Sequence, residues 1–280
     1  MKIVATVQEM RATTVKWIRA GKKIGFVPTM GAFHGGHLSL IQKARRDCGV
    51  VVVSIFVNPL QFAAGEDFDR YPRRLQSDAK IADSEGVDVM FVPTVAEMYP
   101  KGFDTHVDQK DMPAKLCGPF RSGHFRGVMT VVAKLINVVR PDIVYLGQKD
   151  FQQYLIVRRM AIDLDLGCDV KLLSTTREED GLAMSSRNMY LGPKQRRDAT
   201  VLYRALTRAR DLIQNGENNA GRVVSEMKRI IHRVKGSRVE YISIVNQETL
   251  DEIKEIKGRV LVAMAVRIGK ARLIDNILIG

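Results

Sequence analysis

The stretch Phe26-Val-Pro-Thr-Met-Gly-Ala-Phe-His-Gly-Gly-His-Leu-Ser-Leu40 decides how the rest of the chain is read. Ile24, Phe26 and Val27 have the character of a buried strand, Gly31, Gly35 and Gly36 permit sharp turning, and helical spacing resumes at His37-Leu-Ser-Leu-Ile41. A strand, a glycine-bearing loop and a helix start in succession aim backbone N–H groups and the positive end of a helix dipole at one point, which suits a phosphate. His34 and His37, three residues apart, share one face and are placed to donate hydrogen bonds to charge developing on an α-phosphate. The stretch contains neither G-x-x-x-x-G-K-[ST] nor G-x-G-x-x-G, so P-loop kinase and dinucleotide-binding readings lose support.

Outward from this stretch the pattern alternates strand and helix. A short helix is expected at Val7–Ala20, ending near Gly21, and a second at 37–47. Val50-Val-Val-Val-Ser-Ile-Phe-Val57 is a continuous β-branched run of the kind found in a parallel sheet buried on both faces. Asn58 and Gln61 follow its carboxyl end, where open α/β sheets bind ligands, and the Gln61 amide suits a hydroxy-acid and an incoming amine; an ordinary turn explains them equally well. A helix over 75–86 carries Asp78, expected as a solvated helix-face carboxylate or as a support near the nucleotide. A strand at Val87–Val92, an irregular stretch over 98–127, a helix at Val128–Val139 and a strand at Ile143–Gly147 continue the chain. At that last strand's edge Lys149 is placed to neutralise phosphate, Asp150 to accept from ribose or cap the helix 151–163, and Gln153 to reach a ligand.

Cys168–Ser174 closes the series, which predicts an α/β chain: a Rossmann-like parallel-sheet domain over 1–176, then a smaller α+β domain over 177–280. The second domain is expected to hold helices at 194–214 and 220–234 and strands near Val239–Val245, Arg259–Val266 and Arg272–Ile279, joined to the first by a hinge. Near its start, Ser185, Ser186 and Arg187 offer two hydroxyls and a guanidinium to a triphosphate, although alone they would form a turn before a helix.

Composition narrows the class. The chain has 280 residues, 45% of them hydrophobic, enough for a sizeable core. The absence of a long apolar run or a signal-peptide core points to a cytoplasmic protein without membrane partners. Cys48, Cys117 and Cys168 are odd in number and far apart, as reduced buried thiols would be. The two loop histidines lack further ligands at metal-site spacing, so no protein metal site is expected. The net charge of +13 favours anionic partners. Lys194, Arg196, Arg197, Arg204, Arg208, Arg210, Arg222, Lys228, Arg229, Arg233 and Lys235 face few acids in sequence and fit the solvated faces of two amphipathic helices. Sparse aromatic residues there give no platform for single-stranded nucleic acid.

His34-Gly-Gly-His37 resembles the HIGH-type signature of adenylate-forming nucleotidyltransferases, and the longer Pro28–His37 resembles the first motif of the pantothenate synthetase (pantoate–β-alanine ligase) family. Val57-Asn-Pro-Leu-Gln-Phe62, Arg70-Tyr-Pro-Arg73, Gly123-His-Phe-Arg-Gly127, Gly147-Gln-Lys-Asp150 and Ser185-Ser-Arg-Asn188 resemble further motifs of that family, in the expected order. Departures are mild: Phe33 and Met184 stand where leucine is usual, and Gly35 where an acidic residue is common. The resemblance implies condensation of pantoate with β-alanine through a pantoyl adenylate, with ATP and Mg²⁺ as cofactors and a homodimer. It implies catalytic roles for His34, His37, Lys149 and Arg187. ATP would be bound by Met30, Gly31, Ala32, Phe33, His34, Gly35, Gly36 and His37, by Gly147, Gln148, Lys149 and Asp150, and by Thr176, Met184, Ser185, Ser186 and Arg187. Pantoate would be bound by Gln61 and Gln153, β-alanine by Gln61, and Arg121, His124 and Arg126 belong to a substrate-covering loop. Another nucleotidyltransferase, or a nucleic-acid-binding protein suggested by the charge, are the rival readings.

Overall fold

The β-branched run after the glycine loop and the two apolar runs flanking it in space form the centre of a parallel sheet. The computed structural model describes residues 1–63 and 65–280. Two compact units divide the chain: Met1–Lys110, Arg121–Gly147 and Gln153–Ser174 make the first, and Asp111–Phe120, Gln148–Gln152 and Thr175–Gly280 the second.

The first unit contains, in order, β1 (Lys2–Val4), α1 (Val7–Arg19), β2 (Ile24–Thr29), α2 (Gly35–Asp47), β3 (Val50–Ile55), α3 (Leu75–Ser84), β4 (Val89–Phe91), α4 (Val95–Met98), α5 (His124–Val139), β5 (Ile143–Gly147), α6 (Phe151–Asp163, from Gln153 on) and β6 (Asp169–Leu173). Its six strands are all parallel, in the order β1-β4-β3-β2-β5-β6. From β2 the chain runs outward to β3 and β4, then returns to β5 on the other side. The sheet therefore reverses its winding at β2 and β5, and ligands of such sheets bind outside the carboxyl ends of the strands at that point. Val27, Val51, Val53, Met90 and Tyr145 are fully buried against Leu40, Ile41 and Ala44 of α2, which accounts for the unbroken apolar runs.

Three features of this unit differ from expectation. β1 pairs with β4 through only three residues, too few for alternation to reveal. α2 starts two residues early, at Gly35. α5 starts at His124, not Val128: Gly123 adopts a left-handed φ of 76°, which turns the chain into the helix, and the polar-looking His124 and the adjoining Phe125 are both buried.

The second unit has α7 (Pro193–Asp198), α8 (Val201–Gln214), α9 (Ala220–Ile231) and the antiparallel strands β7 (Ser237–Asn246), β8 (Val260–Ile268) and β9 (Ala271–Ile279), in sheet order β7-β8-β9. Leu202, Leu206, Val223 and Met227 pack on Ile244, Val262 and Met264. The single helix expected over 194–214 is interrupted at Ala199–Thr200. There Thr200 N–H bonds to Arg197 O (3.3 Å) and Leu202 N–H to Ala199 O (3.2 Å), and the Thr200 hydroxyl takes Arg197 O at 2.8 Å. These three-residue spacings tighten the turn and restart the helix.

A bulge between Val239 and Tyr241 frees Glu240 from the ladder. Its carboxylate, 3% exposed, meets Arg267 at 2.6 Å and Arg272 at 2.7 Å, the two arginines that β8 and β9 place opposite each other. Several of the basic residues expected on solvated helix faces pair with acids: Lys194 with Asp198, Arg196 with Asp180, Arg208 and Arg229 with Glu226, and Arg222 with Glu217. Among the described residues no helix is long and apolar enough to cross a membrane.

Candidate active site

Within the first unit, the loop between β2 and α2 lies at the carboxyl end of a central strand. Its path is forced by two left-handed residues, Gly31 at φ 81° and Ala32 at φ 54°. A side chain on Gly31 would press on Asp78 Oδ2 and Ile55 Cγ2, both at 3.0 Å, so glycine is required for space as well as conformation. Asp78, 2% exposed on α3, accepts the Ala32 and Phe33 N–H groups on its two oxygens, each at 2.8 Å. It is thus a buried anchor for the loop, and the solvated helix-face carboxylate expected at this position is corrected.

His34 is the residue that caps α2, and His37 sits one turn inside it. His34 Nδ1 accepts the Gly36 N–H at 3.1 Å, while His37 Nδ1 accepts the His34 N–H at 3.4 Å. Both neutral rings must then carry their hydrogen on Nε2. The rings stand 4.1 Å apart between centroids. One capping arrangement therefore fixes the tautomer of two imidazoles at a helix N-terminus, where the dipole already favours an anion.

Gln61 lies in a 3₁₀ turn, Pro59–Gln61, just beyond β3. Its Nε2 donates to Met30 Sδ at 3.0 Å, so the glycine loop and the turn after β3 meet. Gln61 Oε1 accepts from Asn58 Nδ2 (3.1 Å), and Asn58 is itself 1% exposed, donating to Gly127 O and accepting from Leu60 N–H and the Tyr99 hydroxyl. Asn58 orients Gln61 from inside the protein, which corrects its standing as a ligand-facing candidate. Burial pushes the Tyr99 hydroxyl's pKa well up, so it remains a donor to Asn58 throughout the working pH range.

A second chain of contacts holds the Gln61 backbone. His124 Nδ1 lies 2.8 Å from Gln61 O and its Nε2 lies 2.8 Å from Arg121 Nη1; since arginine only donates, Nδ1 carries the hydrogen. Arg121 also grips both oxygens of Glu66, at 2.8 and 2.7 Å. Burial alone would raise the Glu66 carboxyl, but Arg121 outweighs it and holds the pKa below the usual carboxylate range. Of the other sequence-predicted residues of this unit, Gly147 ends β5 and Gln153 lies in the first turn of α6.

The second unit holds the remaining predicted residues in two pieces. Gln148, Lys149 and Asp150 form a 3₁₀ turn. Lys149 Nζ is 3.4 Å from both oxygens of Asp150. Thr176 O accepts the Met184 N–H at 3.0 Å, closing the base of a loop that leads to Ser185, Ser186 and Arg187. Ser185 Oγ caps the 3₁₀ turn Ser186–Tyr190 by accepting the Arg187 N–H, and Ser186 is buried. Tyr99 and Glu66 were not picked out by sequence, and Asp78 only as an alternative to a solvated carboxylate. Only the G-H-F-x-G resemblance signalled one of the groups that support Gln61.

A doubly wound parallel sheet with a histidine-capped glycine loop at its reversal point is the arrangement of a nucleotide-binding α/β enzyme of the HIGH-motif type. The model of the family described as pantoate-β-alanine ligase matches residues 2–278. A pantothenate synthetase of Heliobacterium modesticaldum is 51% identical, covering all of this chain and 99% of its own length, and one of Fervidobacterium nodosum is 48% identical over both full lengths. The pantothenate synthetase crystal structure from Thermus thermophilus superposes with a TM-score of 0.94 at 45% identity, covering 99% of each chain. The Francisella tularensis pantoate-β-alanine ligase, crystallised with β,γ-ATP and β-alanine, gives 0.83 at 35% identity, covering 99% of this chain and 97% of its own. The chain belongs to the pantoate–β-alanine ligase family.

Proposed function

We propose that this protein joins pantoate to β-alanine at the expense of ATP, in two steps. A pantoate carboxylate oxygen attacks the α-phosphorus, the bond to the β-phosphate oxygen breaks, and pyrophosphate leaves a pantoyl adenylate. The β-alanine amine then attacks the activated carbonyl, the carbonyl carbon–oxygen bond to phosphate breaks, and AMP leaves as the amine loses its proton. The meeting of the Met30 loop with Gln61 carries this reading, because it sets the loop leading to the His34-capped helix start beside a fixed amide in one unit.

His34 and His37 donate from Nε2 to the triphosphate, Gln61 and Gln153 hold pantoate, and Gln61 also meets β-alanine. The loop backbone from Met30 to Gly36 follows the nucleotide. Gly147, Gln148, Asp150, Thr176 and Met184 contribute to the ATP site; Lys149, Ser185, Ser186 and Arg187 offset phosphate charge. A well-placed donor of this kind stabilises a transition state by roughly 3 kcal/mol. Such chemistry asks for positioning more than for covalent catalysis. Mg²⁺ is assigned to the incoming ATP phosphates, where it would neutralise charge. The enzyme is proposed to act as a cytoplasmic homodimer.

Pyrophosphate release from ATP with pantoate alone, followed by AMP release only on adding β-alanine, is the expected sequence. Pyrophosphate release that waits for β-alanine would contradict the order of steps.

A further inference from the structure

Strand β9 carries two polar residues, Asp275 and Asn276, at 2% and 4% exposure, in the interior of the second unit. A buried polar side chain is costly unless it is hydrogen-bonded, so the partners show what each residue supports. Asn276 Nδ2 donates to two successive carbonyls, Gln148 O at 2.8 Å and Lys149 O at 3.0 Å, and its Oδ1 accepts from Gln148 Nε2 at 3.3 Å. The carboxamide thus grips, from both backbone and side chain, the turn that carries Lys149. Its cross-strand neighbour is Ala263, which needs no polar partner.

Asp275 fixes this strand to the other predicted phosphate-facing piece of the unit. Both its oxygens take Arg177, at 2.7 and 3.0 Å, and one also accepts the Asn276 N–H at 2.8 Å. Arg177 in turn donates to Gly181 O, stacks over the Tyr203 ring at 4.6 Å and bridges to Ala183, two residues before Ser185. Consecutive residues of one strand therefore set the base of the Ser185–Arg187 loop and the Lys149 turn in register.

We infer that Asn276 is a positioning residue for adenylate formation, acting through Lys149 by fixing the Gln148 and Lys149 carbonyls. The inference rests on the proposed role of Lys149. The role assigned to Asn276 is indirect, through the turn it holds. Losing its two donors leaves the turn free to rotate, which misplaces the ammonium group when charge develops on the phosphates.

A double-mutant cycle on pantoate-dependent pyrophosphate release tests this with the full-length enzyme. Asn276→Ala is expected to lower kcat about tenfold while KM for β-alanine stays within twofold. In a Lys149→Ala background, the same substitution is expected to change kcat less than twofold. Asn276→Asp keeps the side-chain size but sets carboxylate oxygens against the two carbonyls, and it should reproduce the loss if the alanine variant folds poorly. A wild-type rate for Lys149→Ala would overturn the role of Lys149 and this inference with it. An impaired Lys149→Ala with fully additive losses in the cycle, or a wild-type rate for folded Asn276→Ala or Asn276→Asp, would overturn the positioning role alone.

Discussion

A carboxylate at 2% exposure persists in a protein interior when it is paired, and the Asp78 oxygens are paired with the N–H groups of Ala32 and Phe33. That pairing holds Ala32 in a left-handed conformation that a non-glycine residue otherwise avoids. Asp78→Ala leaves two donors buried and is expected to cost about 2–4 kcal/mol, read from urea unfolding, with adenylate formation lost as the loop relaxes. Unchanged unfolding and unchanged pyrophosphate release would refute the anchor. Asp78 was illegible because a carboxylate within an amphipathic helix, about 45 residues from its partners, has the pattern of a surface residue. The histidine pair was legible because its spacing places it at the helix start, while the tautomers depend on capping bonds that only coordinates supply. Glu66 gives a pH signature: its folded pKa is depressed by Arg121, so its contribution is present above the ordinary carboxylate pKa and fades as pH falls through the folded value. The stability gap between wild type and Glu66→Gln should be open at pH 7 and narrow as the pH falls through and below the ordinary carboxylate range, in urea midpoints taken across it. A gap that persists at low pH would mean that the pair adds nothing through charge.

Between elements, α5 and the Gln61 turn meet at Gly127. A Cβ there would collide with the Leu60 carbonyl and approach Gln61 N, so the close approach requires glycine. Gly127→Ala is expected to destabilise by about 1–3 kcal/mol through overpacking and to raise KM for pantoate as Gln61 shifts. A variant with wild-type KM would show that the turn accommodates the methyl group. The long elements were legible: the runs at 50–55 and 143–147 and the helix at 151–163 appear with the expected type because each is strongly patterned. β1 was too short to signal, the start of α5 was masked by polar letters on a buried turn, and the α7–α8 break turns on local three-residue hydrogen bonds. The bulge at Glu240 depends on cross-strand register, which no local window contains.

Over the whole molecule, a formal charge of +13 should draw in a polyanionic substrate. kcat/KM for ATP is therefore expected to fall as ionic strength rises, with kcat nearly constant, and an invariant kcat/KM would show that charge plays no part in encounter. The same excess prompted the nucleic-acid reading, and family membership assigns the chain to a ligase instead. The chemical claim at the centre is that a pantoate carboxylate oxygen becomes bonded to the α-phosphorus. Turnover of pantoate labelled with ¹⁸O in its carboxylate should place one labelled oxygen in AMP and leave the other in the amide product. The departing label found in pyrophosphate, phosphate or water, with none in AMP, would contradict it.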